Sequence, residues 1–123
     1  MATFSELREQ AEQDIRTHIR STSPDSTHHH FVMDSTNYFV EHGAVLLAAL
    51  RLWAESRHKT DGDLRALIDL ANAATLENLA EELAKSHSPD ELHASVQLEG
   101  IAYASPRQLY DILEFARRGL QPS

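Results

Sequence analysis

From Ser35 to Arg57 apolar side chains recur on nearly every side of a helical wheel. Phe39, Leu46, Leu50 and Trp53 share one face, Tyr38, Val45, Ala49 and Leu52 the next, and Val40, Leu47 and Ala54 a third. Only Asn37, Glu41, Ala44, Ala48, Arg51 and Glu55 form a polar strip. The pattern predicts a helix about 35 Å long, at ~1.5 Å of rise per residue, buried on most of its circumference with neighbours on at least two sides. Its apolar run, Gly43 to Leu50, is followed at once by Arg51 and Glu55, too short and too charged to span a bilayer. This is the expected central core helix.

The flanking segments read as amphipathic helices with capping signals. Thr3 and Glu6 have capping-box spacing, and Phe4, Leu7, Ala11, Ile15 and Ile19 form a narrow apolar stripe, so residues 1–22 are expected as an N-terminal surface helix. Ser, Thr, Pro and Asp follow, and residues 23–33 are expected as a loop that includes His28, His29 and His30, with Asp34 or Ser35 capping the central helix. Residues 34–123 form the expected helical core. Thr60 and Asp63 open a short helix with Leu64, Leu67, Ile68 and Ala71 inside. Thr75 is the expected cap of the next, with Leu76, Leu79, Ala80 and Leu83 inside and Glu77, Glu81 and Glu82 outside. Ser88-Pro89-Asp90-Glu91 starts another, a Ser cap, Pro at the first helical position and acids at the positive end of the dipole, with Leu92 and Val96 expected inside and Glu99-Gly100 as its end. Ser105-Pro106 repeats the start signal. The last helix runs to Arg118 with Leu109, Ile112, Leu113 and Ala116 inside and Gly119 as its cap. Ile101 to Ala104 reads equally as a short linker or as an early start of that helix. No alternation long enough for a sheet occurs, and the expected fold is a single-domain all-α bundle of about six helices.

Composition narrows the function. The 123 residues hold no cysteine, which removes disulfides and thiol chemistry and mildly favours a cytosolic setting. The N-terminal residues lack a basic patch followed by an apolar stretch, so no secretory signal is expected. Eleven basic against nineteen acidic residues give a net charge of −8, which repels phosphate backbones and suits basic partners. Nucleic-acid binding by this domain is not expected, nor is membrane contact.

Of the eight histidines, His28, His29 and His30 are adjacent, which is not ligand spacing, and His87 and His93 would occupy different helical faces. His42 falls inside the apolar arc, where a hydrogen-bonded core residue is favoured over a group facing a cleft. The carboxylates at Glu77, Glu81, Glu82, Asp90 and Glu91 read first as solvated helix faces. Without a GxSxG elbow, an HExxH pair or a GxxxxGK[ST] loop, no metal, cofactor or enzymatic activity is expected.

The order of features from Asn37 onward, Asn37-Tyr38-Phe39-Val40-Glu41-His42-Gly43-Ala44-Val45-Leu46-Leu47-Ala48-Ala49-Leu50, then Thr60-Asp61-Gly62-Asp63-Leu64, Thr75-Leu76-Glu77-Asn78-Leu79 and Ser105-Pro106-Arg107-Gln108-Leu109, resembles the all-α domain inserted in the cytosolic ATPase of type IV secretion coupling proteins, the conjugative DNA-transfer ATPases. The resemblance covers roughly residues 30 to 120, and the only tryptophan, Trp53, stands near the end of the long helix where the family has one near its start. It implies a non-catalytic substrate-recognition domain on the cytoplasmic side of an oligomeric ATPase ring anchored at the bacterial inner membrane, binding secreted effectors, a relaxase or adaptors. Basic tails on those partners would meet the acidic residues Glu77, Glu81, Glu82, Asp90 and Glu91. The alternative is a stand-alone helical adaptor or immunity-type protein that binds one partner through a preformed face.

Overall fold

The start of the chain is tied down by local hydrogen bonds: the Thr3 N–H donates to Glu6 Oε1 at 3.3 Å, and the Glu6 N–H donates to Thr3 Oγ1 at 3.2 Å. This is the reciprocal pairing expected of a capping box. The computed structural model describes the backbone of residues 2–22 and 29–121, and side chains for 2–19 and 37–121. The described residues form six helices and no strand: α1 (Phe4–Thr22), α2 (His29–Arg57), α3 (Asp61–Leu70), α4 (Ala73–Ala84), α5 (Pro89–Ala102) and α6 (Pro106–Arg118). The fold is all-α. Among these residues no helix is long and apolar enough to cross a membrane.

Helix α2 packs against α1, α3, α5 and α6. From Val40 to Ala54 only Glu41 is exposed. Two positions of the expected polar strip, Ala44 and Ala48, are in fact buried, because a methyl group fits where another helix approaches closely and needs no water. Gly43 marks such an approach: a Cβ there would lie 3.0 Å from Phe115 Cβ and 3.2 Å from the Ala116 nitrogen, so α2 and α6 touch almost backbone to backbone. Helix α2 also begins earlier than expected. Its first residue is His29, not Asp34 or Ser35, so the loop placed at 23–33 gives way to helix within it; His28 lies outside the described residues. No Pro or Gly stands between Pro24 and Gly43, and a nucleated helix extends through Asp34 and Ser35 at small cost. At the other end His58, at φ 56°, takes the left-handed conformation that ends the helix, and the Lys59 N–H donates to the Ala54 carbonyl at 3.0 Å.

The Thr60–Asp63 box caps α3, as expected, with Leu64 and Ile68 buried. Helix α4 is capped one turn earlier than expected. Asn72, not Thr75, is the N-cap: its Oδ1 accepts the Thr75 N–H at 3.0 Å while Thr75 Oγ1 accepts the Asn72 N–H at 3.2 Å, so Thr75 closes the box from inside. The inner residues Leu76, Leu79, Ala80 and Leu83 are all buried. Ser88 and Ser105 cap α5 and α6, each followed by Pro.

Helix α5 departs most from expectation. Gly100 does not end it; the helix continues to Ala102, Tyr103 is its C-cap, and Ile101 and Ala102 are buried. Leu92 and Val96 point outward, 42% and 65% exposed, and the inner face is Ala94, Ser95, Leu98, Ile101 and Ala102. The small residues Ala94 and Ser95 let α5 lie close on α4, and the buried Ser95 hydroxyl donates to the Ala80 carbonyl at 2.6 Å. A larger Leu or Val on that side would push the helices apart.

Candidate functional site

The five carboxylates grouped as one contact face are divided between α4 and α5, and three of them have partners within the fold. Asp90 Oδ1 accepts the Phe4 N–H at 3.1 Å, which docks the start of α1 on the start of α5; this is a structural cap. Glu82 accepts from Arg57 Nε at 3.2 Å and from Trp53 Nε1 at 3.3 Å, while the Arg57 guanidinium lies over the Trp53 ring at 5.4 Å. Glu82 is therefore spent on holding the end of α2 against α4. Glu91 stands in the first turn of α5, its Oε1 3.5 Å from Ser56 Oγ.

Glu77 and Glu81 remain. They are exposed, they form no hydrogen bond or ion pair among the described residues, and at i and i+4 they share the edge of α4 that faces α5. Helices α4 and α5 are joined by residues 85–88 and pack as an antiparallel pair. The Ser95–Ala80 hydrogen bond sets their level, so Glu77, about one turn before Ala80, stands opposite Glu99, about one turn after Ser95. A cleft of about 290 Å³ results, with Glu77, Glu81 and Glu99 on its walls and Tyr103 at one end; among the described residues no Lys or Arg lines it. Glu99 also lacks an ion-pair partner among the described residues.

Sequence reasoning missed Glu99 and Tyr103. Both were placed at or beyond the end of α5. Running the helix through Gly100 would have put Ser95, Glu99 and Tyr103 at four-residue intervals on the side facing α4.

A second cleft, of about 460 Å³, opens beside α2, between it, α5 and the start of α6. Tyr38, His42, Val96, Gly100, Tyr103 and Gln108 are among its walls. His42 is thus half-buried and faces a cleft, contrary to the favoured core placement, with its ring 4.3 Å from that of Tyr38. The reason is geometric: at His42 the space between α2, α5 and the start of α6 is left as a cleft instead of being filled by core side chains. Tyr103, 76% exposed, borders both clefts. Among the described residues no three His, Asp or Glu side chains gather as metal ligands. No protein-family model, curated protein or solved structure matches this chain.

Proposed function

We propose that this chain is a non-catalytic recognition domain that captures a basic segment of a protein partner in the α4–α5 cleft. The observation that carries this reading is the set of three exposed carboxylates, Glu77, Glu81 and Glu99, that line one cleft without a cation of their own. Unpaired acids held on rigid helices offer charge complementarity to Lys and Arg, favouring encounter and suppressing acidic competitors. The contact surface suggested by sequence contracts accordingly to Glu77 and Glu81, joined by Glu99. The wider setting follows from the resemblance: the substrate-recognition domain of a type IV secretion coupling protein, cytoplasmic, part of a ring-forming ATPase at the inner membrane, binding effectors, a relaxase or adaptors for export.

The test is a pull-down with the purified chain as bait, at low and at moderate salt, beside the variant Glu77→Lys/Glu81→Lys/Glu99→Lys. Secreted effectors, a relaxase or their adaptors should be retained by the wild type, less so as salt rises, and lost by the variant. Equal capture by both proteins sinks the proposal. The stand-alone adaptor reading draws on a different observation, the cleft beside α2 lined by Tyr38, Val96, Ile101 and Tyr103 together with His42, Gln97 and Gln108; it expects a single partner whose retention is indifferent to salt and to the three reversals.

A further inference from the structure

Helix α5 carries a second apolar stripe that the fold leaves uncovered. Leu92, Val96, Gly100 and Tyr103 follow one another at three- and four-residue intervals on its outer side, and the three side chains are 42%, 65% and 76% exposed. Val96 and Tyr103, with the 39% exposed Tyr38, line the cleft beside α2, so three of the six large exposed hydrophobics of the described chain border one depression. Such clustering marks interaction sites, whereas scattered exposed apolar residues carry no such meaning.

Gly100 sharpens the point. A glycine inside a helix costs up to about 1 kcal/mol relative to alanine. At Gly43 and Gly119 neighbouring atoms explain the missing side chain, but a Cβ at Gly100 would meet nothing within 4 Å. Nothing among the described residues needs that space. The bare position lies in the cleft wall midway along the stripe, where an incoming element could approach the α5 backbone.

Charge and composition select the occupant. A second copy of this chain would bring its own net charge of −8 towards Glu77, Glu81 and Glu99. The chain's own segment 23–28, Ser-Pro-Asp-Ser-Thr-His, has no large apolar side chain to fill the cleft and adds an acid. The described residues are helical and offer no sheet edge for strand addition, so a helix laid in a groove is the recognition mode that fits.

Resting on the recruitment reading above, we infer that the two clefts form one bipartite site for a basic amphipathic helix of the partner. Its apolar face packs on Val96, Tyr103 and Tyr38 and crosses α5 at Gly100, and its Lys or Arg residues reach over Tyr103 to Glu77, Glu81 and Glu99. Tyr103, bordering both halves, sets the register between apolar anchor and cation.

The experiment is fluorescence anisotropy of the full chain with three labelled synthetic peptides: an amphipathic Lys/Leu helix, a scramble of it with the same composition but no apolar face, and a Lys/Gln peptide of equal charge. The amphipathic helix should bind roughly tenfold tighter than the scramble, a difference of about 1.4 kcal/mol. Gly100→Leu, which fills the crossing point, and Val96→Asp, at an exposed position, should erase that preference while circular dichroism and melting remain those of a folded chain. Wild-type protein that treats helix and scramble alike, or folded Gly100→Leu and Val96→Asp proteins that both keep the preference, overturns the bipartite site. The acidic half answers to a different arm: reversal of Glu77, Glu81 and Glu99 should weaken all three peptides, and unchanged Lys/Gln binding in that variant overturns the recruitment reading itself.

Discussion

A methyl group added at Gly119 would lie 2.6 Å from Leu47 Cδ2 and 2.9 Å from Ile15 Cγ1, two side chains with no exposed surface and no free volume to retreat into. Gly119 has an ordinary right-handed backbone, φ −66°, so its requirement is for space and not for conformation. Gly119→Ala should therefore destabilise the chain by about 1 to 3 kcal/mol, the usual cost of overpacking. Gly100→Ala has the opposite sign, a gain of up to about 1 kcal/mol, because the helix benefits and nothing is crowded. Urea unfolding of the two variants beside the wild type decides the matter; if both move in the same direction, the geometry assigned to one of these glycines is wrong. A neighbouring residue fixes the same corner. Arg51 donates to Asp14 at 2.9 Å and to the Gly119 carbonyl at 3.4 Å, joining α1, α2 and the end of α6 around the close contact.

At the scale of the helix, caps and stripes were legible because they are local. Thr3–Glu6, Thr60–Asp63, Ser88-Pro89 and Ser105-Pro106 all act where their spacing placed them, and the inner faces of α1, α3, α4 and α6 follow the apolar positions. The misplaced inner faces share one cause. Ala44, Ala48, Ala94 and Ser95 carry little hydrophobic signal, yet they are the residues that let helices meet closely, so burial went to them while Leu92 and Val96 were left outside. The acidic cleft was half legible for a related reason: Glu77 and Glu81 share a helix, whereas Glu99 joins them only through the α4–α5 pairing, which no local pattern encodes. Two measurements test the reassigned faces and caps. Leu98→Ala should cost about 2 to 5 kcal/mol as a large-to-small change in the core, and Val96→Ala no more than about 0.5 kcal/mol in either direction; comparable losses would return Val96 to the inner face. Asn72→Ala should cost about 1 kcal/mol if Asn72 is the cap of α4. The α3 cap carries a pH signature. The Thr60 N–H donated to Asp63 at 2.9 Å holds that carboxyl below its ordinary 3.8, against a smaller opposing effect of burial and with help from the Thr60 hydroxyl and Lys59. A lowered folded value means the stabilisation is complete above 3.8 and disappears as the pH falls through the folded value. Asp63→Asn should accordingly be less stable than wild type near neutrality and converge on it in acid; a deficit independent of pH would remove the ionised carboxylate from the cap.

For the molecule as a whole, what matters is where the excess negative charge is left. Several of the eleven cations are engaged inside the fold: Arg16 with Glu12, Arg51 with Asp14, Arg57 with Glu82, and Arg117 with Asp69 and Glu114. These pairs join α2 to α1 and α4, and α6 to α3, whereas Glu77, Glu81 and Glu99 stand exposed with no ion-pair partner among the described residues. Exposed charges act mainly on encounter, over a screening length of about 8 Å at physiological salt, whereas a desolvated apolar contact governs how long a complex lasts. The proposed site should therefore divide its kinetics between its halves. In stopped-flow binding of the amphipathic Lys/Leu peptide, raising salt from low values to about 0.15 M should slow association by an order of magnitude or so and change dissociation far less. The triple reversal at Glu77, Glu81 and Glu99 should slow association at low salt and flatten its salt dependence, and Val96→Asp should instead hasten dissociation. If the triple variant keeps the full salt dependence, steering comes from the −8 charge of the whole surface and the cleft has no special part in it. If Val96→Asp slows association and leaves dissociation alone, the stripe on α5 is a bystander, and the open space at Gly100 loses the partner assigned to it.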